Sequence, residues 1–176
     1  MKTSALTLAL SLFSIASFAQ KDTVRLKRTP FENKAIVTDR PPQAVYFLLG
    51  GSGPALSVNY DRRFGKRVNG AGFAAGLGFV GGTGISVFSI PVSLNYLFGR
   101  KSDFIEVAAG TTFITSSVDN LFEESTSKGS GFFYHVNGGY RHQPAAGGFF
   151  FRGGISPLFF GGGYITSYYI GFGYNF

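Results

Sequence analysis

The sequence contains no cysteine and no tryptophan, and charged residues make up only 14% of its 176 residues. Without cysteine there is no disulfide framework and no acceptor for an N-terminal lipid anchor. After residue 19 the sequence also lacks an apolar run of the ~20 residues that a membrane-spanning helix needs. If the protein crosses a membrane, it must therefore cross as a β-barrel, because only helices and closed barrels satisfy their backbone hydrogen bonds in lipid.

Glycine and aromatic residues are abundant instead, with 26 Gly, 21 Phe and 9 Tyr. Glycine destabilises a helix by about 1 kcal/mol per site relative to alanine, and aromatic residues favour strands. The composition therefore predicts an all-β protein, and the length fits one domain with short extensions.

Residues 1–19 read as a signal peptide, with a basic residue at Lys2, an apolar stretch over 5–18 and small residues before a cut at Gln20. The alternative is an N-terminal membrane helix, for which the apolar stretch is short. Residues 20–42 form a polar, basic periplasmic lead-in that ends in two prolines, and we expect it to be poorly ordered.

From residue 43 onward, strand-like segments alternate with turn residues. The eight predicted strands are 43–50, 55–64, 70–80, 85–98, 103–113, 131–143, 149–158 and 168–176. Most are close to the ~9–11 residues that a tilted strand needs to cross a bilayer, and an even count suits a closed antiparallel barrel. The predicted fold of 43–176 is an eight-stranded, antiparallel, up-and-down transmembrane β-barrel, closed by pairing of 168–176 with 43–50.

The predicted connections differ in length on the two sides of the barrel. Those at 65–69, 99–102 and 144–148 are short, whereas the other set, at 50–54, 81–84, 114–130 and 159–167, includes the long ones. Transmembrane barrels have short periplasmic turns and longer external loops, so both termini are predicted to be periplasmic. The long loop 114–130 is the predicted site for an unidentified surface partner, with a solvated loop as the alternative. Its candidate binding residues are Leu121, Phe122, Glu123 and Glu124.

Each predicted strand alternates between an apolar and a polar face. In the fourth strand, for example, Phe88, Ile90 and Val92 alternate with Ser89 and Pro91. A soluble ligand-binding barrel would place its apolar face inward and its charges outward. Because charges are nearly absent from the apolar face here, we interpret that face as the one in contact with lipid.

The polar face then lines the lumen, where buried charges must be paired and hydrogen-bonded. The predicted lumenal network comprises Asp61, Arg63, Glu106, His135, Asn137, Arg141 and Arg152. An eight-stranded barrel is just wide enough to be filled by side chains, so a packed polar lumen is favoured over a narrow ion path.

The segment 76–81 matches the dinucleotide-binding pattern G-x-G-x-x-G, but it lies inside a predicted strand and no helix follows it. Its glycines are better explained as small residues that leave room in a narrow lumen. No cofactor is predicted.

Catalytic sites are weakly indicated. Only His135 and His142 could serve as a histidine base, and a triad could be drawn only by combining His135 with Ser130 and a loop glutamate. The protein is therefore predicted not to be an enzyme. No metal site is predicted, because the two histidines lie far from any acidic cluster, and no nucleic-acid binding is predicted.

Three stretches carry a resemblance to a known family: SVNYDRRFG (57–65), GYRHQPAAGGFFFRGGISPLF (139–159) and the terminal YIGFGYNF (169–176). They resemble small, eight-stranded outer-membrane β-barrel proteins of Gram-negative bacteria, of the OmpX-like size class. The resemblance implies location in the outer membrane and a structural or surface-interaction role.

The resemblance also implies partners, namely outer-membrane lipids, lipopolysaccharide and the barrel-insertion machinery. That machinery recognises alternating aromatics on a closing strand, a pattern that Phe172, Tyr174 and Phe176 match. The alternatives are a narrow channel and a lipid A acyl-modifying enzyme. The histidine–serine motifs of the lipid A deacylases are missing here, which counts against the enzyme.

Overall fold

The computed structural model describes residues 36–53, 55–82, 84–119 and 126–176. The predicted signal peptide, most of the lead-in and the four candidate binding residues at 121–124 lie outside this part of the chain. The described residues contain no helix long and apolar enough to cross a membrane.

Eight strands form a closed barrel in which each strand pairs antiparallel with its neighbours in sequence. Their bounds are β1 Gln43–Gly50, β2 Leu56–Arg63, β3 Gly70–Gly82, β4 Ile85–Arg100, β5 Asp103–Asp119, β6 Thr126–His142, β7 Gly148–Phe160 and β8 Gly163–Asn175. The predicted all-β, up-and-down, eight-stranded barrel is confirmed.

The barrel closes where β1 meets β8, as predicted. The ladder between them runs from Gly50 opposite Tyr169 to Ala44 opposite Asn175. Just beyond it, Gln43 and Phe176 exchange backbone hydrogen bonds of 3.0 and 2.8 Å. The seam is therefore hydrogen-bonded along the whole length of β1.

The two faces of the wall follow the period of two that a strand imposes on its side chains. In β4, Ile90, Val92 and Leu94 are exposed on the outside, whereas Ser89 and Asn95 are buried in the lumen. The same inversion holds around the barrel, so the outer face is apolar and the inner face largely polar. A surface of this kind is suited to lipid.

Two of the predicted long connections are wrong. Residues 114–119 and 126–130 belong to β5 and β6, which leaves only 120–125 between these strands, and only Gly161 and Gly162 separate β7 from β8. The segments are rich in Ser, Thr and Gly, which resemble loop residues in sequence. They form strand because each pairs along its full length with its neighbour.

The asymmetry between the two ends therefore lies in strand length. β5 and β6 have 17 residues each, whereas β1 and β2 have eight. At the end away from Gln43 and Phe176, which we call the outer end, the wall is low at β1–β2 and projects at β5–β6.

The opposite end, the inner end, is filled by an apolar inner plug. Val68, Leu97 and Phe104 are buried together there, with Ile36 packed against them. Segment 36–38 runs beside the β2–β3 turn, where Val68 N–H donates to the carbonyl of Ile36 at 3.1 Å and Thr38 N–H donates to that of Lys66 at 2.8 Å. The end of the lead-in is thus fixed to the barrel.

The seam can be tested with a disulfide, because the chain has no cysteine of its own. Phe47 and Phe172 are paired across β1 and β8, and paired Cα atoms lie within the ~4.4–6.8 Å that a disulfide spans. We expect Phe47→Cys with Phe172→Cys to crosslink on oxidation, giving a cyclised species that runs differently on a non-reducing gel.

The matched control is Phe47→Cys with Ile90→Cys, which joins two outward-facing positions on strands that are not neighbours. Crosslinking of the control pair, with none in the seam pair, would contradict the closed barrel.

Candidate functional site

Among the described residues, five charged side chains from four strands lie in the lumen. Asp61 and Arg63 come from β2, Glu106 from β5, Arg141 from β6 and Arg152 from β7, and each is at most 2% exposed. All five are among the residues predicted from sequence to form the lumenal network. They point inward because side chains alternate along a strand, and each of these residues lies on the face of its strand that is turned to the lumen.

These side chains form one alternating series, which we call the charge chain. Arg63 Nη2 lies 2.8 Å from Asp61 Oδ1, and Arg141 Nη2 lies 2.7 Å from the same oxygen. Arg141 Nη1 lies 3.2 Å from Glu106 Oε1, and Arg152 Nε lies 3.4 Å from Glu106 Oε2. The order is Arg63–Asp61–Arg141–Glu106–Arg152, so each carboxylate lies between two guanidinium groups.

Glu106 pairs with two like charges that the β6–β7 register places opposite each other. Arg141 and Arg152 are directly opposite each other on these two neighbouring strands, a placement in which like charges destabilise a sheet. Because Glu106 contacts both groups from β5, the two arginines share a negative partner instead of facing each other alone.

Neutral groups add hydrogen bonds at the β2 end of the charge chain. Asn95 donates to Asp61 Oδ2 at 2.5 Å and accepts a hydrogen bond from Arg63 Nη2. Arg63 Nη1 donates to the backbone carbonyl of Gly70 at 3.0 Å. These contacts matter because a buried charge stabilises the fold only when its remaining donors and acceptors are satisfied.

Aromatic rings surround the third positive charge. Arg152 donates from Nη1 to Tyr46 Oη at 2.7 Å, and its Cζ lies 5.3 Å from the Tyr46 ring centre and 4.9 Å from that of Tyr169. The Cζ of Arg141 lies 4.7 Å from the ring centre of Phe150, which stacks on Tyr46. With three arginines against two carboxylates, these cation–π contacts stabilise the excess positive charge.

Tyr46 and Phe150 are not among the residues predicted from sequence to line the site. β1 is apolar on both faces, and Phe150 lies between two other phenylalanines, so alternation gave no contrast there. The register of β1 with β8 supplies the missing signal. Tyr46 is paired with Gly173, which lies on the same face of β8 as the lumenal residues Gly171 and Asn175.

Glycines on the inner wall provide the room for these large side chains. A Cβ at Gly72 would collide with the guanidinium of Arg63, and one at Gly139 or Gly154 would lie 2.6 or 2.9 Å from Tyr169 Oη. Glycine is therefore needed at these wall positions because the lumen is already full.

His135 and Asn137 are buried in the lumen but stand apart from the charge chain. Asn137 Oδ1 accepts a hydrogen bond from Ser156 at 2.6 Å. His135 Nδ1 lies 3.3 Å from Thr112 Oγ1, which itself donates to the carbonyl of Ser52 at 2.8 Å.

That last contact closes the lumen toward the outer end. Ser52 lies in the β1–β2 turn, and Thr112 lies on β5, four strands around the wall from β1. The turn must therefore cross the lumen. Gly50 and Gly51 permit this path, with φ angles of 72° and 67°, a region that residues with a Cβ rarely enter.

Ser130 and His135, the two described members of the possible catalytic triad, do not come together. Ser130 is exposed on the outer face of β6, whereas His135 points into the lumen, and their offset of five positions along the strand places them ~17 Å apart. Both lumenal carboxylates are held by arginines. Within the described ranges, no group of three or more potential metal ligands occurs.

The three aromatic residues of the predicted insertion signal lie on the outer side of the closing strand. Phe172 and Phe176 are exposed, and Tyr174 is half-buried. The recognition of these residues by insertion machinery stays a prediction.

Comparison with known proteins identifies the fold. No family model and no curated protein matches the sequence. Among solved structures, the N-terminal β-barrel domain of Pseudomonas aeruginosa OprF matches with a TM-score of 0.55 and 13% identity, over 77% of this chain and 96% of that one. The likeness shows that this chain has the fold of an eight-stranded outer-membrane barrel.

Two further solved structures match over the same share of this chain. Ail, the attachment invasion locus protein of Yersinia pestis, has a TM-score of 0.49, 12% identity and 97% of its own chain covered. Neisserial surface protein A has a TM-score of 0.45, 15% identity and 94% covered.

The charge chain predicts an order of stabilities. Asp61→Asn leaves Arg63 and Arg141 without their shared carboxylate and should lower the free energy of unfolding by about 3–5 kcal/mol. Arg152→Leu should cost less, about 1.5–3 kcal/mol, because Glu106 keeps Arg141. The measurement is urea unfolding of the barrel in detergent micelles.

The control is Lys128→Gln at an exposed position, expected to change stability by less than about 0.5 kcal/mol. A midpoint for Asp61→Asn equal to that of the control would show that the charge chain does not stabilise the barrel.

Proposed function

We propose that the protein is a non-catalytic outer-membrane barrel with a closed lumen, which holds the β5–β6 hairpin rigidly at the cell surface for interaction with a partner. The observation that carries the proposal is closure of the lumen at three levels. The inner plug fills one end, the charge chain fills the middle, and the β1–β2 turn crosses toward the outer end.

The projecting hairpin supports a role in surface binding. The β6–β7 ladder ends at Tyr134 opposite Phe159, while β6 continues to Thr126 along β5. Over 126–133, β6 is therefore paired on one side in the described structure. A free strand edge presents backbone donors and acceptors to which an extended segment of another protein can add.

The candidates Leu121, Phe122, Glu123 and Glu124 lie between these two strands in sequence. They lie outside the described residues and stay candidates for the same partner. An apolar pair beside two carboxylates would suit a partner surface that is apolar with basic residues around it.

A non-catalytic role is favoured over lipid A modification by the arrangement of potential catalytic groups. His135 contacts a threonine, and no carboxylate of a described residue is among its hydrogen-bond partners. The outer apolar face, including Phe172, Tyr174 and Phe176, supports contact with outer-membrane lipids and recognition by the insertion machinery during assembly.

Conductance tests the closed lumen. The folded protein, identified by heat-modifiable gel migration, should give no steady single-channel steps in a planar bilayer, because side chains from opposite walls meet inside it. Reproducible steps from protein of confirmed folded migration would refute closure and favour a narrow channel.

Labelling in intact cells tests presentation at the surface. Lys128 and Lys101 are exposed at opposite ends of the barrel, so Lys128→Cys should react with a membrane-impermeant maleimide and Lys101→Cys should react only after lysis. The native chain, having no cysteine, gives no background. The reverse pattern would invert the orientation.

A further inference from the structure

The inner end carries a set of exposed cations that the charge chain does not use. Arg62 ends the outer face of β2, Lys66 and Arg67 lie in the β2–β3 turn, and Arg100 and Lys101 lie at the β4–β5 turn. The two turns touch, since Asn69 Nδ2 donates to the carbonyl of Gly99 at 3.3 Å. We call these five residues the inner-rim patch.

The patch borders the lipid-facing wall. Phe64 and Phe98 are 62% and 54% exposed, and each precedes the first cation of its turn by two residues, or ~7 Å of extended chain. Exposed aromatics beside cations are the arrangement that a protein presents where hydrocarbon gives way to lipid headgroups.

Arg62 gives the clearest indication that the inner-rim patch binds an anion. It lies on the outer face between Tyr60 and Phe64, on a surface that is otherwise apolar. A cation at this position is tolerated when its long side chain carries the guanidinium to the headgroup level, where lipid phosphates supply the opposite charge.

Few carboxylates are present to neutralise the patch. None of its five cations forms an ion pair with another described residue. The turn carboxylate Asp103 is paired in register with Arg100 and accepts hydrogen bonds from Tyr140 at 2.5 Å and His142 at 2.8 Å.

The outer end has the opposite character. The connections at 51–55, 83–84 and 161–162 carry no charge, and Lys128 is the one Lys or Arg in the sequence between residue 113 and Arg141. The same stretch carries Asp119, Glu123 and Glu124. Phosphate groups are therefore favoured at the inner end and disfavoured at the outer end.

Resting on the proposed outer-membrane location, we infer that the inner-rim patch is a binding site for the phosphates of anionic glycerophospholipids in the inner leaflet. Arg62 reaches the phosphate from the wall, while the two turns contact it from below. Preference for anionic lipid is thus built into the end of the barrel that carries the seam between Gln43 and Phe176.

Spin-label EPR can measure this preference. The barrel is reconstituted in phosphatidylcholine vesicles that contain a trace of spin-labelled phosphatidylglycerol or spin-labelled phosphatidylcholine, and the fraction of each label immobilised at the protein is compared. We expect the protein to prefer phosphatidylglycerol, and the preference to fall as salt is raised.

Variants assign the preference to the patch. Each cation is expected to contribute up to about five-fold, equivalent to ~1 kcal/mol, so Lys66→Gln should reduce the preference while the chemically identical Lys128→Gln at the outer end should leave it unchanged. The combined Arg62→Gln, Lys66→Gln, Arg67→Gln, Arg100→Gln and Lys101→Gln variant should bind both lipids nearly equally.

Equal preference in the combined variant and the native protein would overturn the inference. So would lipopolysaccharide displacing labelled phosphatidylglycerol more effectively than unlabelled phosphatidylglycerol does, because the patch would then recognise an outer-leaflet lipid. Folded migration on a gel verifies each variant, and labelling of Lys128→Cys and Lys101→Cys in intact cells tests the proposed location and orientation independently, so failure of one proposal is distinguishable from failure of the other.

Discussion

Alternation of charge inside the barrel is the constraint on which the rest of the lumen depends. Three guanidinium groups in the buried interior would repel one another. Two carboxylates lie between them, so each guanidinium group is separated from the next by a negative charge. The aromatic rings of Tyr46, Tyr169 and Phe150 stabilise the charge that remains. Because these residues come from β2, β5, β6 and β7, their contacts also fix the positions of strands that are far apart in sequence.

The apolar exterior and the ionic interior arise from the same alternation. A shift of one residue in β2, β5, β6 or β7 would turn an inward-facing charge toward lipid. The inner glycines belong to the same design, since Gly72, Gly139 and Gly154 lie where the wall must thin to admit Arg63 and Tyr169. The packed lumen and the apolar outer face therefore both require the same register of the strands.

Sequence periodicity predicted the eight strands, their faces, the seam and all five members of the charge chain, because membrane and lumen impose opposite polarity on alternate residues. It failed where that contrast vanishes. Tyr46 is hidden in a strand apolar on both faces, and segments 114–119 and 126–130 were wrongly predicted as loop because beyond the lipid both faces can be polar. The crossing of the β1–β2 turn from Ser52 to Thr112 is a tertiary contact with no local pattern.

The seam has a consequence for the order of folding. It joins β1 to β8, the two strands most distant in sequence, so their pairing carries a large loop-closure entropy unless the strands between them are already arranged. The charge chain lies entirely on β2 to β7 and can assemble first, holding those strands as an open, curved sheet. Closure then brings Tyr46 against Arg152, so the step that joins the edges also completes the surroundings of the last arginine.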